Sequence, residues 1–320
     1  MSSEVLQLQL RSITYRASAI VSFELRSPTG AELPPFSAGA HIDIQLPGGI
    51  TRAYSLLNPQ DERHRYVVAV NRDAKSRGGS VYMHDSLKVG AMLPISGPRN
   101  NFPLREDASH SVFIAGGVGI TPILCMLDRL TKLKRPWTLY YCARTRADAA
   151  FLDTLTRYKT TGAGNVNLNF DQGQVANMLD IAGAVAAAPA GSDFYCCGPI
   201  PMLESFEKAT ASQPSERVHV EYFAAKEAPM AEGGFVVECV RSAKTVTVPR
   251  GMTILDALLE AGVDAPYSCM QGVCATCEVK VLEGIPDHTD LVLTKEEKAS
   301  NKVMMICCSG SKTPKLVLDL

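Results

Sequence analysis

The chain has 320 residues, enough for two or three domains, and its 46% hydrophobic and 20% charged composition is that of an ordinary globular protein able to bury a sizeable core. A formal net charge of −1 gives no electrostatic reason to expect nucleic acid or a membrane surface as partner. The first residues lack a basic stretch followed by an apolar run, so no signal peptide is expected, and no stretch approaches the length of a membrane span. Ten cysteines without an export signal point to a reducing cytoplasm, where thiols and metal ligation prevail over disulfides. Cys125, Cys142, Cys196 and Cys239 lie in apolar surroundings and read as small core residues.

Residues 1–105 read as short alternating strands broken by Gly and Pro: Glu4 to Tyr15, Ile20 to Leu25, His41 to Leu46 and Tyr66 to Val70. Even spacing of this kind predicts a small antiparallel barrel. Two stretches in it carry chemistry. Arg52-Ala53-Tyr54-Ser55-Leu56 places a cation, a phenol and a hydroxyl on one extended run, with Arg52 and Tyr54 on one face. Ser76-Arg77-Gly78-Gly79-Ser80 offers close backbone approach, an arginine to grip phosphate, and a helix start at Ser80 whose free N–H groups attract an anion. Singly, they are a sheet edge and a loop with a helix cap. As a pair in one barrel they suggest an isoalloxazine lying along the first and a phosphate held by the second.

From 106 to 226 strand, turn and helix alternate, which predicts an open parallel sheet flanked by helices with ligands at the carboxyl ends of its strands. Strand Ser111 to Ala115 runs into Gly116-Gly117-Val118-Gly119-Ile120-Thr121-Pro122, and helical spacing follows from Ile123 to Leu133, with Thr121 as N-cap and Pro122 at the first helical position. Next come strand Trp137 to Cys142, helix Ala149 to Tyr158, strand Val166 to Asn169, a potentially helical segment from Val175 to Ala188, strand Asp193 to Cys197, helix Met202 to Ala211 and strand Val218 to Glu221. The glycine turn departs from G-x-G-x-x-G, and no acidic residue closes a strand twenty residues on, which argues against an ordinary dinucleotide fold. Two other strand ends complete a crevice: Phe170-Asp171-Gln172-Gly173 and Cys197-Gly198-Pro199, the second of which is otherwise a plain strand-to-helix turn. Thr121 and Gly198 would let nicotinamide and pyrophosphate come close. Arg144 and Arg146 leave preference between NADH and NADPH open at this level, since such arginines meet a 2′-phosphate, a pyrophosphate or solvent.

Residues 227–234 are polar, aperiodic and rich in Pro and Gly, a linker composition. Beyond them, Phe235 to Cys239 and Lys244 to Val248 read as a hairpin, Thr253 to Ala261 as a helix capped by Thr253, and Glu278 to Leu282 and Leu316 to Leu318 as further strands. Between helix and strand lie Cys269, Cys274 and Cys277 at C-x4-C-x2-C, with Cys307 thirty residues on. Plant-type ferredoxins hold a 2Fe-2S cluster with this spacing, and Gly272, Ala275 and Thr276 supply the small residues such a loop needs. Structural zinc sites usually present two C-x2-C pairs, and only one is here. Cys307 and Cys308 are adjacent; on an extended segment they point to opposite faces, so one alone reaches the cluster.

These motifs, in this order over nearly all 320 residues, resemble the phthalate dioxygenase reductase family of the ferredoxin-NADP reductase superfamily. The resemblance implies an FMN-binding antiparallel β-barrel (1–105), an NAD(P)H-binding α/β domain (106–226) and a β-grasp ferredoxin domain (235–320). It implies that Ser76 to Ser80, followed by His84, form the FMN phosphate site, that Cys307 is the fourth iron ligand, and that Phe223 packs near flavin and nicotinamide; a core aromatic closing the sheet is the other reading of Phe223. Gly116, Gly117, Gly119, Thr121, Pro122, Cys197, Gly198 and Pro199 then bring the nicotinamide to the ring, Asp171 joins them at the cofactor, and Arg52, Ala53, Tyr54, Ser55, Arg77, Gly78, Gly79 and Ser80 hold the flavin. Thr121 or a backbone N–H steadies flavin N5. The expected activity is transfer of electrons from NADH through FMN and the 2Fe-2S cluster, one at a time, to a Rieske-type oxygenase acting on an aromatic acid or related compound, by a monomer in the bacterial cytoplasm. Two other classes stay open: a self-contained reductase of small acceptors, and a non-catalytic iron-sulfur or zinc protein. Ala275 and Gly310 stand where many members of the family have glycine and arginine.

Overall fold

A computed structural model gives the fold and describes residues 5–73, 78–223 and 234–320. Ser76, Arg77 and all of the expected linker except Gly234 lie outside the described residues. The chain divides into two compact units, residues 1–223 and 224–320.

In the first unit, β1 (Val5–Ala17), β2 (Ile20–Arg26), β3 (His41–Leu46), β4 (Ile50–Ser55), β5 (Tyr66–Asn71) and β6 (Met92–Arg99) form one antiparallel sheet in the order β4-β3-β6-β1-β2-β5. Leu8 and Leu10, Phe23 and Leu25, Ile42 and Ile44, and Leu93 and Ile95 point inward in alternation, so the sheet curls round an apolar core. Its two edges come together just past β4, where the Leu57 N–H donates to the Val67 carbonyl at 3.0 Å. Helix α1 (Gly79–Asp85) follows β5.

The second sheet of this unit is parallel: β7 (Ser111–Gly116), β8 (Trp137–Ala143), β9 (Asn165–Phe170), β10 (Asp193–Cys197) and β11 (Val218–Glu221), in the order β11-β10-β7-β8-β9. Chain order reverses between β7 and β10, and that switch point opens a crevice at the carboxyl ends of these two strands. Helices α2 (Ile120–Lys132), α3 (Leu152–Thr160), α4 (Ile181–Ala186) and α5 (Ile200–Ala209) connect the strands. Barrel residues Ala17, Ile20, Ala38, Ala69 and Phe102 share one apolar cluster with Phe113, Leu127, Trp137 and Tyr195 of this region. The Arg105 N–H also donates to the Tyr195 hydroxyl at 2.9 Å, so barrel and parallel sheet are packed as one body.

Several helix starts differ from expectation; α5, for one, begins at Ile200, two residues before the expected Met202. Gly117–Gly119 already coil as a 3-10 turn, so α2 begins at Ile120 with Gly119 as N-cap. Thr121 lies inside the first turn and donates its hydroxyl to the Val118 carbonyl at 2.9 Å instead of capping. Helix α3 starts at Leu152, because Phe151 is held in the left-handed region at φ 62°. Only the latter part of 175–188 is α-helical, from Ile181, where Asp180 accepts the Gly183 N–H at 3.0 Å.

The second unit contains β12 (Phe235–Cys239), β13 (Lys244–Val248), β14 (Glu278–Glu283), β15 (Pro286–Asp287), β16 (Val303–Met305), β17 (Gly310–Ser311) and β18 (Lys315–Leu318). Five of them form a sheet in the order β13-β12-β18-β14-β16, and β15 pairs with β17. Helix α6 (Ile254–Glu260), capped by the Thr253 hydroxyl accepting from Asp256 N–H at 3.1 Å, packs Ile254, Leu255, Ala257 and Leu258 into the core of this unit. Helix α7 (Lys295–Ser300) was not anticipated, although Thr294 and Glu297 form a capping box at its start. Cys125, Cys142, Cys196 and Cys239 are buried, as expected of core residues. Among the described residues no helix is long and apolar enough to cross a membrane.

Candidate functional site

The barrel brings its two chemical stretches together. Gly78, at φ 91°, turns the chain into α1, which starts at Gly79, one residue before the expected Ser80. A Cβ on Gly79 would stand 2.9 Å from Arg52 Cγ and 3.1 Å from its Nε, so the Arg52 side chain lies directly over the helix start. Ser80 does not cap; its hydroxyl accepts the Asp73 N–H at 3.2 Å. Tyr54 is half-buried with Arg52 and Ala53 on β4, and burial pushes its phenol up to about 12, with Arg52 opposing. His84 turns inward, its Nε2 2.9 Å from the Val70 carbonyl and its ring edge against Phe23.

At the switch point two turns meet at their limit of approach. A Cβ on Gly119 would lie 2.1 Å from the Cys197 carbonyl oxygen, and one on Gly116 would lie 2.6 Å from Pro199 Cδ. A Cβ on Gly198 would meet Met202 Sδ at 2.7 Å and the Gly116 nitrogen at 3.2 Å. Glycine at 116, 119 and 198 is therefore demanded by packing of the β7 turn on the β10 turn. The buried Tyr141 hydroxyl fixes the turn from beneath, donating to the Gly117 carbonyl at 3.1 Å and accepting the Ala150 N–H at 3.0 Å. Thr121 and Pro122 are buried in the first turn of α2.

Glu221, which sequence reasoning missed, joins the barrel to this crevice. Its carboxyl contacts the buried Cys197 thiol at 3.9 Å and the hydroxyl of Ser55, which ends β4. Burial pushes the carboxyl up to about 8, with Cys197 and Ser55 opposing, and the same burial holds the Cys197 thiol well above its usual range. No local signal marks this residue; only a search for carboxylates at strand ends would have raised it. Because the folded value lies above the ordinary 4.5, the unfolded chain binds fewer protons between these values, and the contribution to stability falls as pH rises from about 4.5 to 8. Glu221→Gln is expected to flatten that part of the Tm-against-pH curve; an unchanged slope would remove Glu221 from the account.

Asp171 follows directly on β9, two strand spacings or roughly 10 Å along the sheet from Gly116. One of its carboxylate oxygens accepts the Gly173 N–H at 2.6 Å. Arg144 and Arg146 are exposed. Phe223 is 40% exposed, which excludes the reading of a core aromatic.

In the second unit the four cysteines expected to bind iron are buried together. Side-chain contacts link their sulfurs in a row, Cys274 to Cys269 to Cys307 to Cys277. Backbone N–H groups converge on it: Gln271 N–H donates to Cys269 Sγ at 3.3 Å and Gly272 N–H to Cys307 Sγ at 3.2 Å. Met270, Gly272 and Ala275 adopt left-handed φ of 55°, 67° and 60°, which wraps the loop round the sulfurs. No three His, Cys, Asp or Glu side chains among the described residues converge to hold a single ion. A row that splits into the pairs 269/274 and 277/307 suits a core with two iron atoms. The 306–308 segment is a turn and not an extended run, so the opposite-face argument for Cys307 and Cys308 does not apply.

A barrel fused to a nucleotide-type parallel sheet, with a four-thiol loop on a second unit, defines a modular electron-transfer oxidoreductase. Residues 113–208 match the model of the oxidoreductase NAD-binding domain, and residues 237–311 that of the 2Fe-2S iron-sulfur cluster binding domain. Phenoxybenzoate dioxygenase subunit beta of Ectopseudomonas oleovorans is 55% identical over 98% of this chain and 97% of its own. Tetrachlorobenzoquinone reductase of Sphingobium chlorophenolicum is 50% identical over 98% of both chains. The solved structure of phthalate dioxygenase reductase, described as modular for electron transfer from pyridine nucleotides to [2Fe-2S], superposes with a TM-score of 0.75 at 37% identity, covering 99% of this chain and 98% of that one. The chain belongs to the phthalate dioxygenase reductase family, and the expected three-part architecture is the one found.

Proposed function

We propose that this chain oxidises NADH at the switch-point crevice and passes the electrons, through FMN and a 2Fe-2S cluster, singly to a Rieske-type oxygenase acting on an aromatic acid or related compound. The observation that carries the reading is the pairing of a glycine-packed crevice beside Ser55 and Glu221 with a separate unit holding four clustered thiols. When bound, FMN supplies the exchange between a two-electron donor and a one-electron acceptor.

The residues present fit that group. Arg52 over Gly79, with Gly78, Ser80 and Arg77, would hold the phosphate; Ala53, Tyr54 and Ser55 would line the ring. Gly116, Gly117, Gly119, Cys197, Gly198 and Pro199 leave backbone open to the nicotinamide and pyrophosphate, with Thr121 and Pro122 forming their floor. Since the Thr121 hydroxyl is already donated to Val118, a backbone N–H of the turn is the better donor to flavin N5. Glu221 keeps a proton below about pH 8 and steadies Ser55 at the ring. The exposed Phe223 is free to pack on the cofactors. Asp171 would meet the adenosine ribose, where a carboxylate favours a ribose hydroxyl over a 2′-phosphate and so NADH over NADPH. Relatives from bacteria support a cytoplasmic protein, which we take to act as a monomer.

The similarity to a tetrachlorobenzoquinone reductase favours a second reading, a self-contained reductase of small quinones. Acceptor kinetics separate the two. With cytochrome c as a one-electron probe and tetrachlorobenzoquinone as the small acceptor, the first reading expects cytochrome c turnover to depend on the cluster and quinone turnover to be slow at micromolar concentrations. Fast, saturating quinone turnover that survives loss of the cluster would select the second.

A further inference from the structure

We propose that Cys308 is a reserve ligand of the cluster, a fifth thiol placed to take over an iron atom when Cys307 is displaced or lost; the inference rests on the cluster reading above. Cys308 follows Cys307 in a turn closed by the Ser309 N–H donating to the Met305 carbonyl at 3.0 Å and by the Cys308 N–H to the same oxygen at 3.4 Å. In such a turn successive side chains diverge by about 100° and not by the 180° of a strand, so both sulfurs remain on one side. The Cys308 thiol contacts the Cys307 thiol directly. Gly272 ties both to the loop: its N–H donates to Cys307 Sγ at 3.2 Å, and a Cβ on it would lie only 2.5 Å from Cys308 Sγ. One residue of the cluster loop thus touches both sulfurs, and only glycine leaves room for the second.

The other contacts of the Cys308 sulfur are with the Thr289 and Ser309 hydroxyls and the Met305 carbonyl oxygen. The sulfur lies 3.8 Å from the Met305 carbonyl oxygen and 3.9 Å from the Ser309 hydroxyl, both long contacts, and the residue is partly exposed where Cys307 is buried. The exchange is redox-neutral: the iron bond to Cys307 Sγ breaks, one to Cys308 Sγ forms, and the Cys308 thiol proton passes to the released Cys307 thiolate.

Anaerobic reconstitution with ferrous iron and sulfide tests this by iron content and the electron spin resonance spectrum after dithionite reduction. Wild type and Cys308→Ala are expected to carry about two irons per chain. Cys307→Ala is expected to retain most of that iron with a shifted spectrum, whereas Cys307→Ala/Cys308→Ala and Cys274→Ala, the latter at the far end of the row, lose it. Should Cys307→Ala not yield folded protein, Cys307→Ser keeps the side-chain volume, and adding Cys308→Ala to it must strip the iron. The proposal is overturned if Cys307→Ala is as empty as Cys274→Ala, or if Cys307→Ser holds the same iron with and without Cys308. Wild type without iron would instead refute the cluster reading.

Discussion

Cys274→Ser is expected to yield a protein that still binds flavin and still oxidises NADH with a dye that draws electrons directly from the flavin, but that contains almost no iron and no longer reduces cytochrome c. Loss of an outer-shell partner typically costs 10–100-fold in metal affinity, and removing a thiolate that ligates the metal itself costs more. Cys274 is buried at one end of the sulfur row, in contact with Cys269, and the loop offers no other thiol at that end. Cys277 and Cys307 are packed within the same apolar core as Leu255, Met304 and Leu316, so an empty loop also loosens this unit. Residues 1–223 have cores of their own and stay folded. Iron analysis, flavin release and the two acceptor assays on one preparation check each part. Full iron in the variant would contradict the ligand role of Cys274, and simultaneous loss of flavin would contradict the separation of the two units.

The second large effect is expected at Gly119. An alanine methyl would stand 2.1 Å from the Cys197 carbonyl oxygen and 2.9 Å from the Gly198 nitrogen, and because these are backbone atoms the β7 and β10 turns must part. Overpacking of this kind typically costs about 1–3 kcal/mol. The crevice they form would shift by a large fraction of an ångström, and a misplacement of about 1 Å costs on the order of 10²-fold in rate. Gly119→Ala is therefore expected to slow anaerobic reduction of the flavin by NADH by roughly that factor, with iron and flavin contents unchanged. Wild-type reduction rates would show that the two turns do not position the nicotinamide. The same substitution at Gly97, where a Cβ meets nothing and φ is not left-handed, serves as the matched control for stability, since both gain a methyl but only one gains a clash.

What was legible in the sequence is what depends on neighbours in the chain. Alternation of apolar residues marked the barrel strands, glycine turns after buried runs marked the parallel sheet, and C-x4-C-x2-C marked the iron loop, because each is set within a dozen residues. Glu221 escaped because its chemistry comes from Ser55 and Cys197, which the fold brings to it from far along the chain and from the neighbouring strand. Thr121 resembled a cap until the 3-10 turn ahead of it moved the helix start by two residues. Cys307 and Cys308 looked like neighbours on a strand because the apolar run before them is one; that strand stops at Met305. Helix α7 did carry its signal, Thr294 and Glu297, but a six-residue polar helix has too little periodicity to announce itself.

The central claim is that paired electrons enter at the crevice and leave singly through iron held by Cys269, Cys274, Cys277 and Cys307. Anaerobic addition of NADH to the purified protein, followed by absorption and electron spin resonance with iron, sulfide and flavin assayed on the same sample, tests it most directly. The account predicts FMN and one cluster in each chain, bleaching of both chromophores, and a reduced-cluster resonance that NADH alone produces. Intact protein carrying flavin but no iron or acid-labile sulfide, or a cluster that stays oxidised once NADH has reduced the flavin, would contradict it.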